Sequence, residues 1–167
     1  MPKIGLLSDT HGHLEPSIFE YFNSCDEIWH AGDIGSLEVS EKLSSFKPLR
    51  AVHGNIDDYN IRLIYPEDLI FTVDKLTVWM THIGGNPGNY PSRVKKKLRE
   101  FTPDLFVCGH SHILRVVTDI SHKNMLYMNP GAAGNEGFHK IKTLLRFEIN
   151  ERKIHSIQAI ELGKRGR

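Results

Sequence analysis

Short apolar runs alternate with polar segments along the chain, and most runs end in the same kind of polar loop. Residues 3–8 form an apolar run that stops at Asp9-Thr10-His11-Gly12, the pattern of a buried strand entering a loop. Pro16 suits a helix start, and Ile18, Phe19 and Phe22 follow at helical spacing, with Glu15, Glu20 and Asn23 on the polar side. Residues 27–30 are a second strand, closed by Ala31-Gly32-Asp33. Ser36 is placed to cap a helix through Phe46 that packs Leu37, Val39 and Leu43 inward. Residues 48–52 are a third strand, closed by His53-Gly54-Asn55. Strand, loop and helix in repetition imply right-handed crossovers and a parallel sheet.

The second half reads differently. Residues 69–73 and 76–81 are neighbouring strands across the turn Asp74-Lys75, the second ending at His82. A loop rich in Gly, Asn and Pro covers residues 84–91. Residues 92–101 form a basic helix stopped by Pro103, and residues 105–108 a strand entering Gly109-His110-Ser111-His112. Further strands are expected over 114–120, 125–128, 143–149 and 153–160, the last two forming a hairpin across Asn150-Glu151-Arg152. The expected fold is α/β: two packed mixed sheets with helices outside both, with a parallel portion in the first half and antiparallel strands in the second. Residues 1–162 are expected to be one domain and 163–167 a disordered basic tail.

Composition narrows the class. A chain of 167 residues with 40% hydrophobic and 25% charged residues is an ordinary globular domain with enough core to fold without staples. Net charge is +1, from 21 basic and 20 acidic side chains, so nothing argues for nucleic acid or an anionic membrane as partner. No apolar run approaches the roughly 20 residues of a membrane helix, and residues 1–7 are too short for a signal peptide. Cys25 and Cys108 lie far apart and outside any Cys-x-x-Cys pattern, as small apolar residues of a reducing compartment. A cytoplasmic location is expected.

The chemistry lies in the strand ends. Ten histidines is a large share for this length, and histidine is the commonest metal ligand. Asp9-x-His11, Gly32-Asp33, Gly54-Asn55, Thr81-His82 and Gly109-His110-x-His112 each close a strand. The carboxyl ends of parallel strands share one edge, where ligands bind, so five loops are expected to deliver N and O donors to one crevice. That donor mix suits Mn, Fe, Co, Ni or Zn. In extended backbone, residues i and i+2 point the same way, so Asp9 and His11 are expected to grip one ion, and His110 and His112 either do likewise or splay to two ions where the loop twists at Gly109. Glycines 32, 54 and 109 are expected to turn the chain sharply there.

Taken in order, Asp-x-His, Gly-Asp, Gly-Asn-x-Asp, Thr-His and Gly-His-x-His resemble the calcineurin-like metallophosphoesterases, over residues 3–134. The short length and Gly54-Asn55-Ile56-Asp57 look like the small bacterial and archaeal phosphodiesterases of that superfamily, relatives of the vacuolar sorting protein 29 subunit of retromer. Asn129-Pro130-Gly131 is similar to a further motif of the family. The resemblance implies a four-layer α/β/β/α sandwich and two divalent metal ions, Mn first, with Zn, Fe, Ni or Co as alternatives. One ion would be held by Asp9, His11, Asp33 and His112, and the second by Asp33, Asn55, His82 and His110, with Asp33 bridging. Two ions roughly 3.5–4 Å apart can share a hydroxide for in-line attack on phosphorus, and neutral Asn55 adds no charge against the incoming phosphate.

The implied substrate is a small phosphodiester or nucleotide. A phosphomonoesterase or nuclease shares the same metal site, a non-enzymatic scaffold shares the fold, and a homo-oligomer is left open. Two departures from the wider superfamily stand out. Ile56 replaces the histidine that follows the Asn, as in the small subfamily, so no general acid is identified. Ile83-Gly84 replaces Gly-His, making the following loop this protein's own and a shaper of substrate access. His53 is a candidate phosphate contact. His13, His30, His122, His139 and His155 fit no motif position and are expected at the surface or in hydrogen bonds, His30 near enough to Asp33 to support it. Arg93, Lys95, Lys96, Lys97 and Arg99 read as a solvated helix face, and Trp29 and Trp79 as core.

Overall fold

A computed structural model describes residues 1–166. The chain runs β1 (Lys3–Leu7), α1 (Ser17–Tyr21), β2 (Glu27–His30), α2 (Leu37–Phe46), β3 (Leu49–Ala51), α3 (Tyr59–Ile64), β4 (Asp68–Val73), β5 (Leu76–Thr81), α4 (Ser92–Glu100), β6 (Leu105–Val107), β7 (Leu114–Asp119), β8 (Met125–Pro130), β9 (Ile141–Asn150) and β10 (Lys153–Lys164). The strands form two five-stranded sheets, ordered β10-β9-β1-β2-β3 and β4-β5-β6-β8-β7.

Both sheets are mixed. In the first, β1, β2 and β3 are parallel and β9 and β10 antiparallel. In the second, β5, β6 and β8 are parallel and β4 and β7 antiparallel edges. The parallel portion expected in the first half and the antiparallel strands expected in the second are both present, but the second half holds parallel pairs as well. The second half builds its own parallel centre, and β9 returns to the first sheet beside β1. Local hydrophobic pattern marks a strand but does not choose its neighbour, so the sequence carried no signal for this.

Alternation along each strand sorts side chains into layers. Ile4, Leu6 and Trp29 face Val78, Met80, Leu105, Val107 and Met128 between the sheets. Leu7, Ile28 and Leu144 point outward onto Ile18 of α1, Phe22 just after it, Val39 and Leu43 of α2 and Ile61 of α3. Trp79, Phe106 and Tyr127 take Val94 and Leu98 of α4 on the other face. The result is the α/β/β/α sandwich. Gly5 lets α1 lie against β1, since a Cβ there would stand 2.5 Å from the Phe22 ring.

Ser36 caps α2 by accepting from the Val39 N–H, as its position predicts. Helix α3 was not foreseen. Asp58 caps it through the Ile61 N–H, but only Ile61 is buried while Tyr59, Leu63 and Ile64 stay exposed, so no amphipathic period marks it. The segment expected to fray from Gly163 is also different. Gly163 and Lys164 pair with Lys142 and Ile141, and Arg165 N donates to the Lys140 carbonyl at 2.9 Å; Arg167 lies outside the described residues. Removing packing between the sheets should cost most: Leu145→Ala, at a fully buried site, is expected to lower unfolding free energy by about 2–5 kcal/mol in urea titration. Ile120→Ala, at a site 82% exposed, should change it by under about 0.5 kcal/mol.

Candidate metal centre

The carboxyl ends of the parallel strands from both sheets meet at one rim. Backbone hydrogen bonds stitch them: Asp9 N to Gly32 O (2.9 Å), Ala133 N to Ser8 O (2.9 Å), Gly134 N to Asp9 O (3.1 Å) and Gly109 N to His82 O (3.0 Å). Two groups of metal-ligating side chains converge there, Asp9 with His11 and His112, and Asp33 with His82 and His110. The groups adjoin: His11 Nε2 lies 3.4 Å from Asp33 Oδ2, and His82 Nε2 lies 3.7 Å from Asp9 Oδ1. Asn55 sits beside the second group, with its Oδ1 3.0 Å from His110 Nδ1. All seven residues predicted from the sequence are thus brought to one rim.

The backbone reaches this arrangement by an unexpected route. Asp9, His11, Asp33, His110 and His112 all have positive φ, between 46° and 70°. The extended geometry expected for Asp9-x-His11 is therefore corrected, since left-handed residues turn the pair inward, while His110 and His112 take the splayed alternative, one in each group. Non-glycine residues pay roughly 1–3 kcal/mol for such conformations, which collect at functional sites. The glycine reading changes too. Gly32 does turn, with φ of 102°, but Gly54 and Gly109 are required for space. A Cβ at 54 would overlap the Asp33 carboxylate, and one at 109 would overlap Ser8 and Asp9.

One end of each donor is already committed to the protein. Asp9 Oδ2 accepts from Ser8 Oγ (2.6 Å) and His110 N (3.1 Å), and Asp33 Oδ1 accepts from Ile56 N at 3.1 Å. His82 Nδ1 faces the Ala31 carbonyl at 2.7 Å, and a carbonyl only accepts, so that nitrogen carries the proton. A neutral His82 then presents a bare Nε2 3.1 Å from Asp33 Oδ2. Two lone pairs at that distance repel unless a proton or a metal cation lies between them. Asp9 Oδ1, His11 Nε2 and His82 Nε2 are buried with no hydrogen-bond partner, where an unsatisfied polar group is costly. The site therefore fits a positively charged guest, and the N/O donor set with no thiolate fits first-row divalent ions. Cys108 is near in sequence but directs its sulfur to Tyr127 and the Gly85 carbonyl.

Charge on the donors is mutually dependent. Burial alone would raise the Asp9 and Asp33 carboxyls, but the surrounding imidazoles outweigh it and hold both well below the usual range. Beside Asp33 first and Asp9 second, His11 is raised to about 10. Burial works against the charge on His82, yet Asp33 and Asp9 raise it. Burial, followed by the nearby His82, lowers His110.

Two further residues brace the loops. Asp57 is buried and accepts from Ile34 N (3.1 Å), Gly35 N (2.8 Å) and Gly54 N (2.8 Å), tying the Asp33 loop to the Asn55 loop. Asn129 donates to the Gly109 carbonyl and Ser111 Oγ, each at 3.0 Å, and accepts from Gly131 N. His30 is fully buried, bonded to Gly32 N and Thr10 Oγ1, and burial lowers it to about 4. It holds the Asp33 loop as a neutral group. Local pattern assigns Asp57 no such role, although it closes the Gly54-Asn55-Ile56-Asp57 motif.

A cleft of about 340 Å³ opens beside Asn55 and His82. His53, Arg62 and Arg93 line one part, and Ile83 and Pro91 bring the loop over residues 84–91 to its edge. His53 is fixed by a contact from its Nδ1 to the Tyr65 carbonyl at 2.8 Å. Arg62 donates to the carbonyls of Gly54, Asn55 and Asp57.

Comparison with known proteins now decides the family. The profile described as the calcineurin-like phosphoesterase superfamily domain matches residues 2–152. The chain belongs to that superfamily. It is 30% identical over 146 residues to a phosphodiesterase of Methanocaldococcus jannaschii, covering 77% of this chain and 82% of that one. It is 28% identical over 137 residues to a probable metallophosphoesterase of Methanothermobacter thermautotrophicus, covering 77% and 76%. Among solved structures, zinc-complexed vacuolar protein sorting 29 of Entamoeba histolytica superposes with a TM-score of 0.72 at 16% identity, over 96% of this chain and 98% of that one. An archaeal phosphodiesterase gives a TM-score of 0.72 at 24% identity, over 96% and 99%. These last two likenesses establish the shared fold. No helix of the described residues is long and apolar enough to cross a membrane.

Two expectations follow for this superfamily member. A cation taken up beside His11 would displace the proton that Asp33 and Asp9 hold on it, so binding is expected to release a proton and to tighten as pH rises toward about 10; calorimetry in buffers of different ionisation enthalpy measures the proton count, and pH-independent affinity would contradict it. In the metal-free protein the sign reverses. The folded value of His11 lies above the unfolded 6.5, so its stabilising contribution is complete below 6.5 and is lost as pH climbs through about 10. Second, Asp57→Ala strands three backbone donors and should destabilise by at least about 1–3 kcal/mol in denaturant titration, with Asp57→Asn losing less.

Proposed function

We propose that the protein is a metal-dependent phosphodiesterase with a dinuclear centre, acting on a small phosphodiester or nucleotide. The observation that carries this reading is the convergence of two donor triads on buried, unpartnered oxygen and nitrogen atoms. Asp9, His11, Asp33 and His112 would hold one ion, and Asp33, Asn55, His82 and His110 would hold the second. Mn²⁺ is the first choice among the divalent ions this donor set accepts. When bound, the ions supply a nucleophilic hydroxide near neutral pH and counter-charge for the phosphoryl oxygens.

The chain's own groups do the rest. The neutral amide of Asn55 marks the side of the centre that opens into the cleft and adds no negative charge against an anionic ester; Glu67, the acid in the cleft lining, faces Arg93 Nε at 3.6 Å. A cleft of about 340 Å³ is near the lower end of small-molecule sites, which favours a small ester over a polymer. Arg62 is held in place by three backbone carbonyls and meets no carboxylate among the described residues, so its charge is available to the cleft. Ile83 and Pro91 give the cleft an apolar edge.

With Mn²⁺ the purified protein is expected to hydrolyse bis(p-nitrophenyl) phosphate faster than p-nitrophenyl phosphate. His82→Ala and Asn55→Ala should each lower the diesterase rate on the order of 100-fold. Equal turnover by the wild type and both variants removes the assignment. A faster monoester reaction makes the protein a phosphomonoesterase on the same centre, and no turnover with either ester leaves the scaffold reading.

A further inference from the structure

His139 has no place in the ligand set, yet it touches it. Its Nδ1 lies 3.1 Å from Nδ1 of His112, with the rings edge to face at 5.0 Å between centroids. Its Nε2 lies 2.8 Å from the Gly134 carbonyl. A carbonyl only accepts, so His139 carries its proton on Nε2, and in a neutral ring its Nδ1 is then an acceptor. The hydrogen between the two rings therefore belongs to His112 Nδ1. That leaves His112 Nε2 as a bare lone pair, and this is the atom 3.1 Å from Asp9 Oδ1.

We propose that His139 is a positioning residue for the centre: through His112 Nδ1 it holds that imidazole in the one tautomer and orientation that leaves Nε2 open to a divalent cation at the Asp9–His11–His112 group. The inference rests on the metal-dependent reading above. It is supported separately by the loop that carries His139. Gly137, with φ of +124°, lies directly against the ring pair, and a Cβ there would overlap His112 Nδ1 and come within 3.3 Å of His139 Nδ1. The loop is thus shaped to the paired rings. From behind, Arg165 Nε donates to the His139 carbonyl at 2.9 Å and Gly166 N to Asn135 Oδ1 at 2.8 Å. The Asp33–His82–His110 group is oriented otherwise, His82 by the Ala31 carbonyl and His110 by Asn55. Loss of His139 should therefore affect one ion and spare the other.

Calorimetric titration with Mn²⁺ tests this on wild type, His139→Ala, His139→Asn and Gly137→Ala. Wild type is expected to bind two ions. His139→Ala should weaken one of them about 10- to 100-fold, the usual effect of removing a group that orients a metal-ligating histidine, and leave the other unchanged. His139→Asn, whose carbonyl can accept from His112 Nδ1, should recover most of the loss, and Gly137→Ala should reproduce it. Nitrogen NMR of the wild type loaded with diamagnetic Zn²⁺ should place the His112 proton on Nδ1, a readout that stands even where His139→Ala fails to fold. Equal binding by wild type and His139→Ala, a parallel fall at both ions, or a His112 proton on Nε2 overturns the inference alone. A wild type that binds no ion overturns the functional reading and this inference with it.

Discussion

Asp9 Oδ1 and Asp33 Oδ2 each face imidazole nitrogens at about hydrogen-bond distance, and in neutral rings held by their far nitrogens the facing atoms are lone pairs. Only a proton or a metal cation between them makes the arrangement favourable, and much else in the structure serves to hold it. The far oxygens of both carboxylates are tied to Ser8, His110 and Ile56. Five donors sit in left-handed backbone that L residues rarely adopt. Glycines 54 and 109 clear space for the carboxylates. Such costs are sustained because the two-sheet core over-determines the loops around them.

The core does this by geometry. Each sheet contributes a parallel trio, β1-β2-β3 and β5-β6-β8, whose carboxyl ends lie at the same rim. The layer of Ile4, Leu6, Trp29, Val78, Met80 and Val107 fixes the separation of the sheets. Contacts across the gap then set individual side chains, as when His82 on the second sheet reaches the Ala31 carbonyl on the first. A shift of one sheet against the other would break donors from both at once.

The same fold is shared with vacuolar protein sorting 29, and a fold does not by itself determine activity. What speaks for chemistry in this chain is its site. The acidic and imidazole donors are held with their lone pairs convergent, and a cleft of small-molecule size opens beside them.

Much of this was legible from local pattern. Residues 27–30 and the capped helix from Ser36 to Phe46 appear where the sequence placed them, because strand alternation and N-capping are local physics. The convergence of the seven candidate residues on one rim was legible because donor pairs recur at strand ends, and parallel strands bring their ends together. What the sequence could not decide was long-range. It did not reveal that β5, β6 and β8 are parallel, that residues 163 and 164 continue a strand, or that α3 exists with a single buried side chain. Nor did it show the left-handed turns, the brace at Asp57, or His139 behind His112. Each of these depends on atoms distant along the chain meeting in a particular orientation, and residue type and spacing carry no record of orientation until the two sheets have closed on one another.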